Sequence, residues 1–138
     1  MPDIPGGPVN LKPLGSGDPN SQKWRIVRNE EGDGFKIEGY YEAPEGIPPI
    51  GMGPAWKNYE PEPGTPIAIS LFKDASAYNV EVVRPHENGL IISILPKDDY
   101  FVTGINRFAG ASEDTVEITA VPVVNPPLPH PGWFISPA

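Results

Sequence analysis

Two histidines, three acidic pairs and three loops carrying a basic or amide residue are the places where this chain could do chemistry. His86 and His130 each follow a proline, in Pro85-His86 and Pro129-His130. Histidine pairs serve as acid and base or as metal ligands. Here no His-x-x-x-His spacing and no cysteine accompanies them, so they read as solvated loop histidines, and no metal or other cofactor is expected. Asp98-Asp99, Glu30-Glu31 and Glu60/Glu62 are the acidic pairs. Glycoside hydrolysis needs two carboxylates facing each other across a bond, one with a raised pKa. Neighbours in a strand point to opposite faces and neighbours in turns face water, so these pairs read as surface charge. The chain has no Gly-x-Ser-x-Gly elbow and no phosphate or dinucleotide fingerprint. Gly51-Met-Gly53-Pro is glycine-rich but opens no helix. No enzyme is expected.

Composition narrows the remaining classes. The 138 residues suit one domain, 1–138, with a core of modest depth at 38% apolar content. Twenty prolines exclude a helical bundle, because each interior proline would break a helix. The absence of cysteine removes disulfide scaffolds and thiol catalysis together and fits a reducing, cytoplasmic setting. Met1–Gly7 is neither basic nor apolar enough for a signal peptide, and no apolar run is long enough to span a membrane. A net charge of −8 disfavours nucleic acid and anionic membrane surfaces while favouring a basic partner.

The elements that must position any site are short strands. Ile67-Ala-Ile69-Ser-Leu71 and Tyr78-Asn-Val80-Glu-Val82 alternate with period 2, and Leu90–Leu95 is a continuous apolar run. Asn88-Gly89 stands between two such runs as a hairpin signal. Val9–Leu11, Trp24–Val27, Phe35–Ile37, Tyr100–Thr103, Val116–Val121 and Trp133–Ile135 complete an all-β pattern of nine or ten strands. Three segments also share an aromatic followed two positions later by a β-branched residue: Trp24-Arg-Ile26, Tyr78-Asn-Val80 and Trp133-Phe-Ile135. The two intervals between them are nearly equal, the mark of a repeat architecture. Phe35 follows Trp24 at almost the same interval as Leu90 follows Tyr78, which pairs those two strands as equivalents. A period near 54 with about four strands per unit predicts a closed, threefold all-β fold without sheet edges. Trp24, Tyr78 and Trp133 should then be buried around the pseudo-threefold axis.

The stretch Ser21-Gln-Lys-Trp24-Arg-Ile-Val-Arg-Asn29-Glu-Glu-Gly-Asp-Gly-Phe35-Lys-Ile37 resembles the Trp-x-Val, acidic-Gly turn, Tyr-x-Ile hairpin of the mushroom β-trefoil inhibitors. These comprise a serine-protease inhibitor family and the mycocypins, which act on cysteine proteases. Glu62-Pro-Gly-Thr-Pro-Ile67-Ala-Ile69, running on to Tyr78-Asn-Val80, is similar to their second repeat. Thr115–Val123, proline-rich Asn125–Pro131 and the closing Trp133-Phe-Ile135 are similar to their third. The resemblance covers about residue 8 to the C-terminus and implies a β-trefoil that blocks a protease through a surface loop. The opening Gly-x-Tyr-x-Ile strand of these families is absent. Counting back from the later units puts the start of the first well before Met1, which predicts an unpaired edge beside Trp24–Val27 unless Met1–Val9 or another chain covers it. Oligomeric state is left open. Gln22-Lys-Trp24 also matches the Gln-x-Trp mark of ricin-type lectin trefoils, with Trp56 and Tyr59 as exposed rings for a glycan, so carbohydrate binding is the alternative.

An inhibitor of the substrate-like type needs an exposed, rigid, extended segment that enters the protease cleft. Three loops qualify by sequence. Lys12–Pro19 lies where the serine-protease family carries its reactive loop, but Lys12 precedes a proline, which lacks the N–H a protease expects. Pro54–Pro61 offers Lys57 and Asn58, the latter suited to an asparagine-specific cysteine protease. Gly104–Gly110 reads as a hairpin tip with Asn106, Arg107 and Phe108, and Arg107 is the first choice for a trypsin-like pocket.

Overall fold

A computed structural model describes residues 9–13, 23–29, 32–39, 54–100, 103–112, 115–124 and 131–137. These form ten strands and a single 3-10 turn: β1 (Val9–Pro13), β2 (Lys23–Arg28), β3 (Phe35–Gly39), β4 (Ala55–Asn58), β5 (Ile67–Ser70), the 3-10 turn Phe72–Asp74, β6 (Tyr78–His86), β7 (Gly89–Pro96), β8 (Ile105–Ser112), β9 (Thr115–Pro122) and β10 (Trp133–Pro137). Four of the twenty prolines mark strand ends. Pro13, Pro96, Pro122 and Pro137 are the last residues of β1, β7, β9 and β10, where a residue without an N–H closes a ladder at least cost. No helix among the described residues is long and apolar enough to cross a membrane.

Six of the strands close on themselves. The order β2-β1-β10-β7-β6-β3 is completed by a direct β2–β3 pairing, so each of the six has a neighbour on both sides. The register repeats three times around this ring. Trp24 stands opposite Gly39, Tyr78 opposite Pro96, and Trp133 opposite Pro13. Two residues further on, Ile26 faces Ile37, Val80 faces Ile94 and Ile135 faces Leu11. On the other side of each aromatic, Val9 pairs Trp24, Phe35 pairs Tyr78 and Ile92 pairs Trp133. Residues i and i+2 share a face, so the aromatics make one layer and the aliphatic pairs the next. Ile26, Ile37, Ile94, Ile135 and Leu11 are all buried.

This register corrects two expectations. The strand equivalent to Phe35 is reached at Ile92, not Leu90, because β6–β7 is the longest of the ring hairpins and carries a bulge between Val82 and Arg84. The first unit does not lack its opening strand: β1 pairs with both β2 and β10, so no edge is left open beside Trp24–Val27. What the first unit lacks is length between its strands. Residues 40–77 separate β3 from β6 and residues 97–132 separate β7 from β10, whereas only residues 14–22 separate β1 from β2. The longer spans carry the hairpins β4–β5 and β8–β9. The β1–β2 span is shorter than either hairpin.

The β6–β7 turn also differs from its sequence signal. His86 pairs with Gly89, so the two turn residues are Glu87 and Asn88, and Glu87 takes the positive φ of 51°. Gly89 is needed for another reason. A β-carbon there would lie 1.9 Å from the Ile135 carbonyl oxygen, so its absence lets β10 approach β7.

Trp56 of β4, expected as an exposed sugar-stacking ring, is instead the centre of the core at 3% exposure. It meets Trp24 at 5.9 Å, Tyr78 at 5.9 Å and Trp133 at 5.6 Å between ring centroids. Tyr78 and Trp133 are buried as expected, and Trp24 is half-buried. The three repeated aromatics thus converge on a fourth that repeats nowhere. The Trp133 indole Nε1–H donates to the Ala109 carbonyl at 2.9 Å, fastening β8 to the ring. β9 meets the β4–β5 turn through Gly64 N–H to the Ile118 carbonyl (2.7 Å) and Ile118 N–H to the Thr65 carbonyl (3.0 Å).

Candidate functional site

Two of the three sequence-selected loops are largely strand among the described residues. Gly104–Gly110 is not a hairpin tip: Ile105–Ser112 is strand β8, paired along its whole length with β9 from Ile105–Pro122 to Ser112–Thr115. Arg107 does not project to solvent, since its side chain is only 9% exposed. Its guanidinium makes a bidentate pair with Asp98, donates to the Pro61 carbonyl (2.9 Å) and the Tyr100 carbonyl (3.1 Å), and lies over the Tyr100 ring. Phe108 is buried, which removes it as a subsite contact, while Asn106 is exposed. The physical reason is alternation: in a strand, Arg107 and its neighbours must face opposite sides, and the Arg107 side meets an acid and two carbonyls.

Lys57 and Asn58 lie in β4 rather than in a loop. Asn58 is held on both its groups: the Tyr78 hydroxyl donates to its Oδ1 at 2.6 Å, and its backbone N–H donates to the Ser76 hydroxyl at 2.9 Å. The Lys57 ammonium sits over the Tyr59 ring at 5.0 Å, so that exposed ring already carries a cation on one face. Lys12 is in β1 opposite Phe134, and the rest of its proposed loop, residues 14–19, lies outside the described residues. His130, Glu30-Glu31 and Gly51–Gly53 also fall outside them. His86 is exposed, packs edge-on against Phe134 and stands 3.8 Å from Glu87. Among the described residues no three His, Cys, Asp or Glu side chains gather as metal ligands would.

Of the side chains that the sequence pointed to, Arg107 reaches a segment that begins inside the expected Pro54–Pro61 loop and runs beyond it. Glu60-Pro61-Glu62-Pro63-Gly64-Thr65-Pro66 joins β4 to β5, and Glu60, Glu62, Gly64 and Pro66 are exposed. Two successive carbonyls, of Pro61 and Glu62, each have a side-chain donor behind them, and the Glu60 carbonyl lies within reach of the second. The Thr65 hydroxyl is 2.6 Å from the Glu62 oxygen and 3.2 Å from the Glu60 oxygen, and Arg107 donates to the Pro61 oxygen between them. Gly64 has a φ of 89°, the left-handed conformation that only glycine adopts cheaply, and this turns the chain back toward Thr65. The Thr65 N–H donates to the Glu62 carbonyl at 3.3 Å and closes the turn. Three prolines limit the remaining freedom. The result is a stiff acidic surface segment whose outward groups are carboxylates and whose inward groups are occupied.

Burial, with the Asp98 charge adding to it, holds the Tyr78 phenol far above its ordinary range. Tyr78 donates to Asn58 within the core, which ties β6 to β4. No family model, curated protein or solved structure matches the chain.

Proposed function

We propose that this chain is a β-trefoil that blocks a protease by seating the Glu60–Pro66 turn in the enzyme's cleft. The trefoil reading is supported by the closed six-strand ring with its threefold register and by a hairpin following two of the three units. The inhibitor reading rests on the resemblance to the mushroom inhibitors and on one observation above the rest, the bracing of the Pro61 carbonyl by Arg107 and of the Glu62 carbonyl by Thr65. A segment held in shape before contact loses little conformational freedom on binding. Arg107 therefore changes role: it positions the contact segment and does not enter a specificity pocket.

The prolines bear on the mode of inhibition. Pro61 follows Glu60 and Pro63 follows Glu62, so neither glutamate is followed by the N–H that a protease uses to align a scissile bond. The turn occludes the cleft and resists cleavage, and its two carboxylates favour a cleft rim of basic character. Titration of trypsin, chymotrypsin, subtilisin and papain with the pure protein tests the reading. Stoichiometric loss of activity is expected for at least one of them, without slow cleavage of the inhibitor. Full activity of all four at micromolar inhibitor would overturn it.

A further inference from the structure

A second surface feature stands beside the brace. A cleft of about 160 Å³ opens where the start of β6, the end of β7 and the start of β8 meet. Leu95, Pro96 and Ile105 supply apolar walls, Tyr100 an aromatic one, and Asn79 and Asn106 two amides. We propose that this cleft binds a neutral single-ring polyhydroxyl ligand, one pyranose unit of a glycan. Size, polarity and charge agree on that class.

The volume lies well below the roughly 300 Å³ at which pockets for drug-sized ligands begin, so it takes one ring. A pyranose has an apolar C–H face and an equatorial rim of hydroxyls that both donate and accept. Proline, leucine and tyrosine walls meet the first requirement. Carboxamides meet the second, since each offers two donors and an acceptor. Asn79 and Asn106 are exposed, and among the described residues neither side chain has a partner, so both are available to a ligand. Arg107 lines the cleft as well, but its charge is matched by Asp98 and its donors are directed to the Pro61 and Tyr100 carbonyls. The cleft therefore offers no free charge to select an ion, and the chain's net −8 repels anions.

The threefold register supplies a comparison within the molecule. Asn79 and Leu95 face each other in β6–β7 at the place that Arg25 and Glu38 occupy in β2–β3. In β2–β3 both long side chains are buried and the place is filled. In β6–β7 a short amide replaces the arginine, and the cleft lies there. This site is distinct from the sugar-stacking reading of Trp56, whose ring is buried, and from Tyr59, which lines no part of it.

The experiment is an NMR titration of the isotope-labelled protein with the methyl glycosides of glucose, galactose, mannose and N-acetylglucosamine, each to about 50 mM, far above the millimolar range expected of so small a site. At least one should produce saturable shifts of the Asn79 and Asn106 side-chain amides. Asn79→Leu with Asn106→Leu should weaken that binding at least tenfold while the melting temperature stays unchanged. If the double variant does not fold, Asn79→Ser and Asn106→Ser are read singly, each with a several-fold loss expected. Absence of a saturable shift with all four glycosides overturns the proposal, as does a shift that survives the variants. Protease inhibition is read separately, so failure here leaves the inhibitor reading standing.

Discussion

Truncating Trp56 to alanine removes the one ring that touches all three repeated aromatics. Replacing a buried Trp by Ala costs about 3–5 kcal/mol from lost transfer energy and the cavity left behind. Trp56 should lie at the upper end of that range. It is 3% exposed, and its three ring contacts are edge-on or tilted geometries that contribute about 0.5–1.5 kcal/mol each beyond area. Collapse cannot fill the gap readily, because Trp24, Tyr78 and Trp133 are held at fixed register positions in three different strand pairs. A loss near 5 kcal/mol corresponds to a fall in Tm of about 20 °C for a domain of this size, at ~4 °C per kcal/mol. Urea unfolding followed by far-UV circular dichroism measures it without relying on indole fluorescence. Trp24→Ala serves as the internal comparison, since Trp24 is half-buried and, among the rings of the described residues, meets Trp56 alone. A Trp56→Ala cost well under the range for truncating a buried tryptophan, or one smaller than that of Trp24→Ala, would refute the hub.

Four further variants have expected outcomes. Gly89→Ala should destabilise the fold by more than ~3 kcal/mol, because the new methyl would meet the Ile135 carbonyl at 1.9 Å. Gly64→Ala, strained only by its φ of 89° with no atom within 4 Å, should cost roughly 1–2 kcal/mol, and chemical denaturation of the pair separates the two causes. Arg107→Met should cost about 2–3 kcal/mol, the value of hydrogen bonds to a charged group discounted for the part-exposed Asp98, and should speed proteolytic nicking near Glu60–Pro66. Tyr78 sets an alkaline limit: its folded pKa is raised, so the stability it contributes is present in full below about pH 10 and is lost as pH climbs from there toward the folded value. Tyr78→Phe should cost about 1 kcal/mol at neutral pH and flatten that alkaline decline, as read by unfolding curves at pH 7 to 11.

The repeat was legible because it is written in side-chain types at fixed register positions. Trp24, Tyr78 and Trp133 each stand opposite a residue with little or constrained side chain (Gly39, Pro96, Pro13), and the β-branched or aliphatic partner follows two positions later. The first strand was lost in the count because a fixed period was extrapolated through a unit whose inter-strand segment is short. Trp56 was misread for lack of periodicity: a central residue that plugs a threefold ring occurs once and matches nothing. The Gly104–Gly110 segment differs from its loop-like sequence for a related reason. Arg107 between glycines looks like a loop tip, but Gly104, with a φ of 80°, ends the preceding turn, and Gly110 is a strand residue kept small by Thr119 and Pro131. The contacts that make Arg107 a brace come from Pro61 and Asp98, distant in sequence or in another element, and only folding brings them together. Proline spacing in Glu60–Pro66 was the available signal for the stiff turn.

The decisive comparison is of inhibition constants. Against a protease from the panel that the wild type inhibits, Glu60→Gln with Glu62→Gln should raise the constant at least tenfold, about 1.4 kcal/mol, with the Tm unchanged because both side chains are exposed. Arg84→Gln, at the exposed end of the β6–β7 hairpin, should leave it within twofold. An unchanged constant in the double variant, with the loss appearing in Arg84→Gln instead, would contradict the assignment of the Glu60–Pro66 turn as the contact surface.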